Sequence, residues 1–355
     1  MDDITIEKLQ TPDGYRAVIK FKCPSVKLKG FLAIHNEDLG PAVGGTRMFP
    51  YANEQAALID VLRLSRAMTY KCALAGVHHG GGKAVIIGDP EKDKSEALIR
   101  AYAKVIESLK GRFHTGEDVG ISEDDVQIML QESKFFIGRR GVAGDPSPFA
   151  SLSTFYTMQV AAREKFGNQS LWGLTVAIKG AGKVGSELIR LVKKDGAKVI
   201  AADVRPSAVE KLKAEHPDIK IVSAQKIHSV QADIFSPCAL GNDITMDNVG
   251  EIKAKVICGG ANNQLASIEI GDELFKRDIL FVPDYIANAG GLIDVVAELE
   301  PDGYNRERVI KNIENVKNTI STVLLMSRQK KRAPSRIADR LAEETFHNAG
   351  RNGHN

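Results

Sequence analysis

The sequence has few cysteines, and none of Cys23, Cys72, Cys238 and Cys258 stands in CxxC spacing. That argues against a disulfide frame or a cysteine zinc site and leaves reduced, mostly buried thiols of a cytosolic protein. No run approaches 18 apolar residues, so no membrane-spanning helix is expected. The start, Met1-Asp2-Asp3, lacks the basic-then-apolar pattern of a signal segment, and the expected location is cytoplasmic. A net charge of +3 is too small to argue for nucleic acid or a membrane surface as partner. The basic residues Arg328, Lys330, Lys331, Arg332 and Arg336 read as a solvated loop between helices. The sequence has no internal repeat and no low-complexity tract.

What is present is ordinary globular material, 43% hydrophobic and 26% charged, over 355 residues. That length favours two domains with a ligand cleft between them. Short alternating bursts at Tyr15–Phe21 and Leu28–His35 predict strands, and apolar spacing predicts helices over about 54–70, opened by Asn53, and 93–110. Ser122 caps a further helix. Between Phe136 and Pro148 the composition turns to Gly, Pro, Arg and Ser, a linker and hinge over 137–150.

After a helix over 151–166 the pattern alternates strictly. Leu174–Lys179 reads as a strand, Lys183–Lys194 as a helix, Lys198–Ala202 as a strand and Pro206–Glu215 as a helix; short buried strands follow at 219–222, 232–235, 255–258 and 279–282. Helices close the chain over 289–299, 305–328 and 335–347. The fold class is α/β with two domains: an N-terminal mixed α/β substrate domain and a Rossmann doubly wound dinucleotide-binding domain. The expected ranges are 1–136, with 329–355 packing back on it, and 137–328.

Two stretches carry chemistry. In Gly80-Gly81-Gly82-Lys83-Ala84-Val85-Ile86-Ile87 a lysine lies between three glycines and a β-branched run, a glycine-rich turn entering a buried strand. Partial desolvation there is expected to leave Lys83 a neutral amine able to accept a proton. A phosphate loop is a poor match, because Val77 and Ala84 stand where a glycine and a Ser or Thr are needed. Lys71, closing the first helix, and Asp118 in Thr115-Gly116-Glu117-Asp118-Val119-Gly120 add a cation and a carboxylate, enough to bind a carboxylate and move protons.

The second stretch, Gly180-Ala181-Gly182-Lys183-Val184-Gly185, follows an apolar strand and opens a helix, the context a dinucleotide fingerprint requires. Gly180 allows the turn, Gly182 the approach of a pyrophosphate, and Gly185 helix–strand packing; Lys183 and Val184 begin the helix whose N–H groups face the phosphates. Asp203, 18 residues after Gly185, is placed for the adenosine ribose and favours NAD over NADP, with Arg205 beside it arguing the other way. Asp203 as a plain strand-end turn residue is the bland alternative.

The block Gly40 to Arg47, then Met68 to Lys71, Gly80 to Lys83 and Glu117 to Gly120 resembles the glutamate/leucine/phenylalanine/valine dehydrogenases, in order and spacing the leucine and phenylalanine branch. The likeness continues through Asp145-Pro146-Ser147-Pro148, Pro237-Cys238-Ala239-Leu240-Gly241, Ala261-Asn262-Asn263-Gln264 and Asn288-Ala289-Gly290-Gly291. It implies an amino acid dehydrogenase using NAD, reversibly converting a hydrophobic L-amino acid to its 2-oxo acid and ammonia. Lys83 and Asp118 would be catalytic. Lys71, with backbone at Gly44 and Gly45, would hold the α-carboxylate. Cys238 and Ala239 would line the nicotinamide side, Asn262 would hold its carboxamide, and Asn288 would belong to the same site.

Met68, Val43, Gly116, Leu292 and Val295 would form the side-chain pocket. Val43 replaces the lysine of the glutamate branch; Gly116 and Leu292 match phenylalanine-type members and lean toward a large or aromatic substrate. Asp294 departs from the asparagine of the leucine branch. His78 and His79 read as structural, Cys238 lacks a base to make it a nucleophile, and the chemistry requires no metal. The likeness also implies a homo-oligomer built through the N-terminal domain. A non-catalytic NAD-binding sensor and a 2-hydroxy-acid dehydrogenase are the alternatives.

Overall fold

The computed structural model describes residues 3–239 and 241–352; Leu240 and the chain ends, which the expected motifs and ranges include, lie outside them. The chain divides into two compact units, Met1–Gly144 with Val295–Arg306 and Ala342–Asn355, and Asp145–Asp294 with Glu307–Leu341. The division thus falls later than residue 136; the chain returns to the first unit over Val295–Arg306, inside the expected second domain, and its last return begins at Ala342 and not at 329. The reason is local bonding. Ile137 donates its N–H to Thr115 O, and the buried Glu298 carboxylate accepts from the N–H groups of Gly138, Arg139 and Ala143. Residues 137–143 are therefore tied into the first unit.

The first unit contains β1 (Thr5–Lys8), β2 (Ala17–Cys23), β3 (Leu28–Asn36), β4 (Ala42–Val43), β5 (Thr46–Phe49), α1 (Glu54–Ala75), β6 (Gly80–Ile87), α2 (Glu96–Glu107), β7 (Phe113–His114) and α3 (Glu123–Met129). Its mixed sheet runs β1-β2-β3-β6-β4-β7, with β5 also on β6. β1, β2, β3 and β6 are successively antiparallel, whereas β4 and β5 run parallel to β6. Side chains alternate between faces, so Ala84 and Ile86 enter the core with α2, while Val85 packs with Ala57 and Val61 of α1. Lys83, two residues before Val85, shares the α1 face.

Two expectations change here. Helix α1, capped by Asn53 through Ala56 N–H, continues past Lys71 to Ala75 because no breaker occurs before Gly76, which ends it in the left-handed region at φ 70°. The three glycines are not a turn but the opening of β6. A Cβ at Gly81 would lie 2.0 Å from Thr69 N, and one at Gly80 2.0 Å from Asn36 O. Glycine here admits the backbones of α1 and β3 to the strand.

The second unit begins with α4 (Ser147–Phe166), four residues earlier than expected, with Pro148 in its first turn. Then come β8 (Thr175–Lys179), α5 (Lys183–Lys194), β9 (Lys198–Ala202), α6 (Pro206–Glu215), β10 (Lys220–Ile221), β11 (Ile234–Pro237), β12 (Val256–Ile257), α7 (Ile268–Lys276), β13 (Leu280–Phe281) and α8 (Asp284–Ala287). Three further helices, α9 (Gly290–Val296), α10 (Arg306–Lys330) and α11 (Pro334–Asn352), close the chain. The sheet order is β10-β9-β8-β11-β12-β13 with every pairing parallel. That is a doubly wound sheet whose order reverses between β8 and β11, where such folds bind ligands. Among the described residues no helix is long and apolar enough to cross a membrane.

Candidate functional site

In the first unit Lys83 Nζ meets Asp118 Oδ2 at 2.5 Å, with the lysine 7% exposed. Strand β6 fixes the lysine, flanked by Ala33 of β3 and, one residue on, by Thr46 of β5 paired with Ala84. The loop after β7 fixes the aspartate. Thr46 N–H bonds to Gly116 O, Met48 N–H to Val119 O, and Ile121 N–H back to Asp118 O. A Cβ at Gly45 would lie 2.9 Å from Asp118 Cβ, so that glycine lets the loop approach the sheet.

Burial by itself would raise the Asp118 carboxyl, but Lys83 and then Arg47 outweigh it and hold it well below the ordinary carboxylate range. The resting site is thus an ion pair. The amine expected to stand free at Lys83 is met here by a carboxylate at 2.5 Å. The guanidinium of Arg47 completes the group, with Nε 3.4 Å from the same Asp118 oxygen and Nη1 3.1 Å from Asp60 Oδ2.

The other residues expected in this unit are placed as follows. Met68 and Lys71 lie three apart on α1 and so on one side of it, both half-buried. A Cβ at Gly44 would lie 3.2 Å from Met68 Cγ and 2.0 Å from Gly82 O. The Gly44 N–H is engaged by His114 O at 3.2 Å, an internal use that the expected carboxylate contact would have to replace. Val43 is wholly buried between β6 and β7, which does not suit a pocket wall in this conformation. Gly116 also needs revision. A Cβ there would lie 2.6 Å from Ile137 O, so the missing methyl makes room for backbone and not for a substrate ring. Val295, at the start of the returning segment, is half-buried.

In the second unit the glycine loop joins β8 to α5. Gly180 has φ +100°, and Gly185 admits Gly180 O, which would lie 1.9 Å from a Cβ there. Around Gly182, in contrast, a Cβ would find only Arg205 Nη2 at 3.9 Å, leaving an open cradle at the helix N-terminus. It belongs to a cleft of about 800 Å³ lined by Lys183, Arg190, Arg205 and Ser207 among others.

Asp203 Oδ2 accepts from Ala181 N–H at 2.7 Å and Oδ1 from Arg205 N–H at 2.8 Å. Burial raises its carboxyl, but these bonds and the Arg205 side chain bring it down to about 2. Arg205 folds onto Asp203, with Nε 3.1 Å from Oδ1. Across the sheet reversal, Cys238 and Ala239 adjoin Gly180, and Asn288 Nδ2 donates to Asn262 Oδ1 at 2.7 Å. Burial pushes the Cys238 thiol up, the opposite of what a nucleophile needs. Leu292, in α9, is buried.

A family model described as Glu/Leu/Phe/Val dehydrogenase, dimerisation domain, matches residues 16–135, and one described as Glutamate/Leucine/Phenylalanine/Valine dehydrogenase matches residues 202–344. The chain is 43% identical over 333 residues to leucine dehydrogenase of Bacillus cereus, covering 93% of this chain and 90% of that protein. The chain belongs to the glutamate/leucine/phenylalanine/valine dehydrogenases. It is also 42% identical over 335 residues to phenylalanine dehydrogenase of Thermoactinomyces intermedius, covering 93% and 91% of the two. The crystal structure of L-tryptophan dehydrogenase from Nostoc punctiforme superposes with a TM-score of 0.83 at 38% identity, over 95% of this chain and 97% of that one.

As a member of this family the protein is an amino acid dehydrogenase, an oxidoreductase acting on a CH–NH2 group with a pyridine nucleotide. The open cradle at Gly182, the helix dipole behind it and Asp203 fit such a dinucleotide. The family motif contains Arg47, but nothing local marks it for a role, and no motif singles out Asp60 or Glu298. For Asp60 the available signal was a carboxylate within the Ala57, Val61, Leu64 side of α1. For Glu298 there was none, since its partners lie about 155–160 residues away in sequence.

Proposed function

We propose that this dehydrogenase catalyses NAD-dependent, reversible oxidative deamination of a hydrophobic L-amino acid, of leucine or phenylalanine type, to the 2-oxo acid and ammonia. The observation that carries the reading is the Lys83–Asp118 pair at 2.5 Å on a glycine-lined strand. The first unit is the substrate and oligomerisation domain and the second the cofactor domain. Gly180, Gly182, Lys183, Val184 and Gly185 take the pyrophosphate, and Asp203 takes the ribose hydroxyls in place of Ala181 and Arg205, which supports NAD. Cys238, Ala239, Asn262 and Asn288 take the nicotinamide end. When bound, the nicotinamide supplies the acceptor for the hydride that leaves Cα.

Lys71 pairs with the substrate α-carboxylate. Asp118 exchanges Lys83 for the substrate amino group and takes a proton from it, so that the nitrogen lone pair forms the C=N bond as hydride leaves. Lys83, released, gives its own proton to solvent and as the free amine takes a proton from water as the oxygen bonds to Cα. It then returns that proton to the nitrogen, the C–N bond breaks and ammonia departs, and the lysine takes the hydroxyl proton as the carbonyl forms. Met68 and Val295 supply apolar surroundings for the side chain in the first unit.

The test is reduction of NAD by phenylalanine, leucine, valine, tryptophan and glutamate compared side by side. Turnover with none of the hydrophobic four refutes the reading. Lys83→Ala is expected to abolish turnover while NADH fluorescence titration still reports binding. The protein assembles as a homo-oligomer through its first unit, checked by sedimentation of the wild type; a monomer at micromolar concentration contradicts it.

A further inference from the structure

We propose that Arg47, pinned by Asp60, is a positioning residue for Asp118: it holds the carboxylate while Lys83 gives way to the substrate amino group. This rests on the roles of Lys83 and Asp118 argued above. Arg47 pairs with Val85 across β5 and β6, so its side chain and that of Lys83 emerge on one face. Both reach the same oxygen, Asp118 Oδ2, Lys83 at 2.5 Å and Arg47 Nε at 3.4 Å. The Arg47 Nε–H is buried and makes no hydrogen bond at rest. It stands at ion-pair distance, and a movement of under about 1 Å would bring it within bonding range.

Such a donor answers a specific difficulty. Breaking a buried ion pair by withdrawing one partner leaves an uncompensated charge, which is strongly unfavourable. Asp118 with Lys83 alone would be locked at rest. A guanidinium supplies compensating charge without ever competing for the proton that Lys83 must carry. Arg47 is itself held ready. Asp60 Oδ2 accepts from Arg47 Nη1 at 3.1 Å and from Tyr51 OH at 2.7 Å, and Asp60 Oδ1 accepts from Arg63 Nη2 at 2.9 Å. Asp118 thus stands between Lys83 and Arg47, and Asp60 between Arg47 and the half-exposed Arg63, so both carboxylates are compensated before substrate arrives. A tie between β5 and α1 would need only the Asp60 contact; it gives no reason for Nε to stand unbonded beside Asp118.

The experiment measures kcat and KM of the full-length enzyme with its best amino acid for R47Q, R47K and D60N, beside K83A and D118N, with thermal midpoints and NADH titration as folding controls. R47Q is expected to lose on the order of 10- to 100-fold in kcat, part of what positioned proton transfer contributes, with KM within about threefold. R47K, which keeps the charge, is expected to recover at least about a third of the lost rate on a logarithmic scale, and D60N to fall between R47Q and wild type. A wild-type kcat per folded enzyme in R47Q, or in both R47K and D60N should R47Q not fold, overturns the inference while K83A and D118N remain inactive. Full activity in K83A and D118N overturns the assignment of those residues, and this inference with it.

Discussion

Replacing Gly116 by alanine separates two explanations of one residue. Its Cβ would come 2.6 Å from Ile137 O and 3.2 Å from Ile137 Cγ1. Ordinary contact begins near 3.4 Å, so the 137 backbone must retreat by most of an ångström. That backbone is held on both sides, by Ile137 N–H to Thr115 O at 2.9 Å and by Gly138 N–H to Glu298 Oε2 at 3.1 Å. Overpacking against a braced segment costs about 1–3 kcal/mol. At roughly 2–4 °C for each kcal/mol in a unit of this size, the thermal midpoint of G116A falls by several degrees. The ratio of kcat/KM for phenylalanine to that for leucine should stay within about threefold, because the methyl meets protein and not substrate. Circular dichroism melts and initial-rate assays with both amino acids read the two quantities. An unchanged midpoint together with a shift toward leucine of 10-fold or more, the size that one methyl in a pocket confers, refutes the packing argument and restores Gly116 as a pocket-widening position.

Other consequences are equally direct. The Asp203 carboxyl lies at about 2 against an ordinary 3.8, so its contribution is complete above pH ~4 and is lost as pH falls toward 2; screened at the exposed Arg205, it amounts to about 1–2 kcal/mol. Urea unfolding of D203N should accordingly show a shallower loss of stability over that interval, and an identical acid limb contradicts the assignment. Asn53→Ala removes the acceptor for Ala56 N–H at the start of α1 and is expected to cost about 1 kcal/mol in the first unit, seen as a lower denaturant midpoint with unchanged slope. Burial pushes the thiols of Cys72 and Cys258 up to about 12, so iodoacetamide at neutral pH should leave both unmodified in native protein and alkylate them after unfolding, as peptide mass spectrometry reads out.

Much of this molecule was legible without coordinates wherever a signal is local. The helices Lys183–Lys194 and Pro206–Glu215 and the strand Lys198–Ala202 are found with their expected ends, because periodicity and proline at a first turn act over a few residues. The glycine loop was legible for the same reason, since strand, turn and helix N-terminus are contiguous. The family's motifs, read as a set, brought Lys83 and Asp118 together despite the 35 residues separating them.

What lay beyond the sequence were the contacts in which distant backbones meet. Gly80 to Gly82 read as a turn, yet they serve a strand crossed closely by α1, a helix whose packing distance no local pattern encodes. Gly116 read as empty pocket until Ile137 O was found in the space, and Val43 as pocket wall until β6 and β7 closed over it. Glu298 fastens residues 137–143 to the first unit from the far side of the 145–294 stretch of the second, which puts the division of the chain after them. Residue types and short-range order specify which elements form and which side chains are chemically able; whether a given charge stands paired or a given glycine is filled is decided by packing between segments far apart in the chain, as with Arg47 reaching both Asp60 and Asp118.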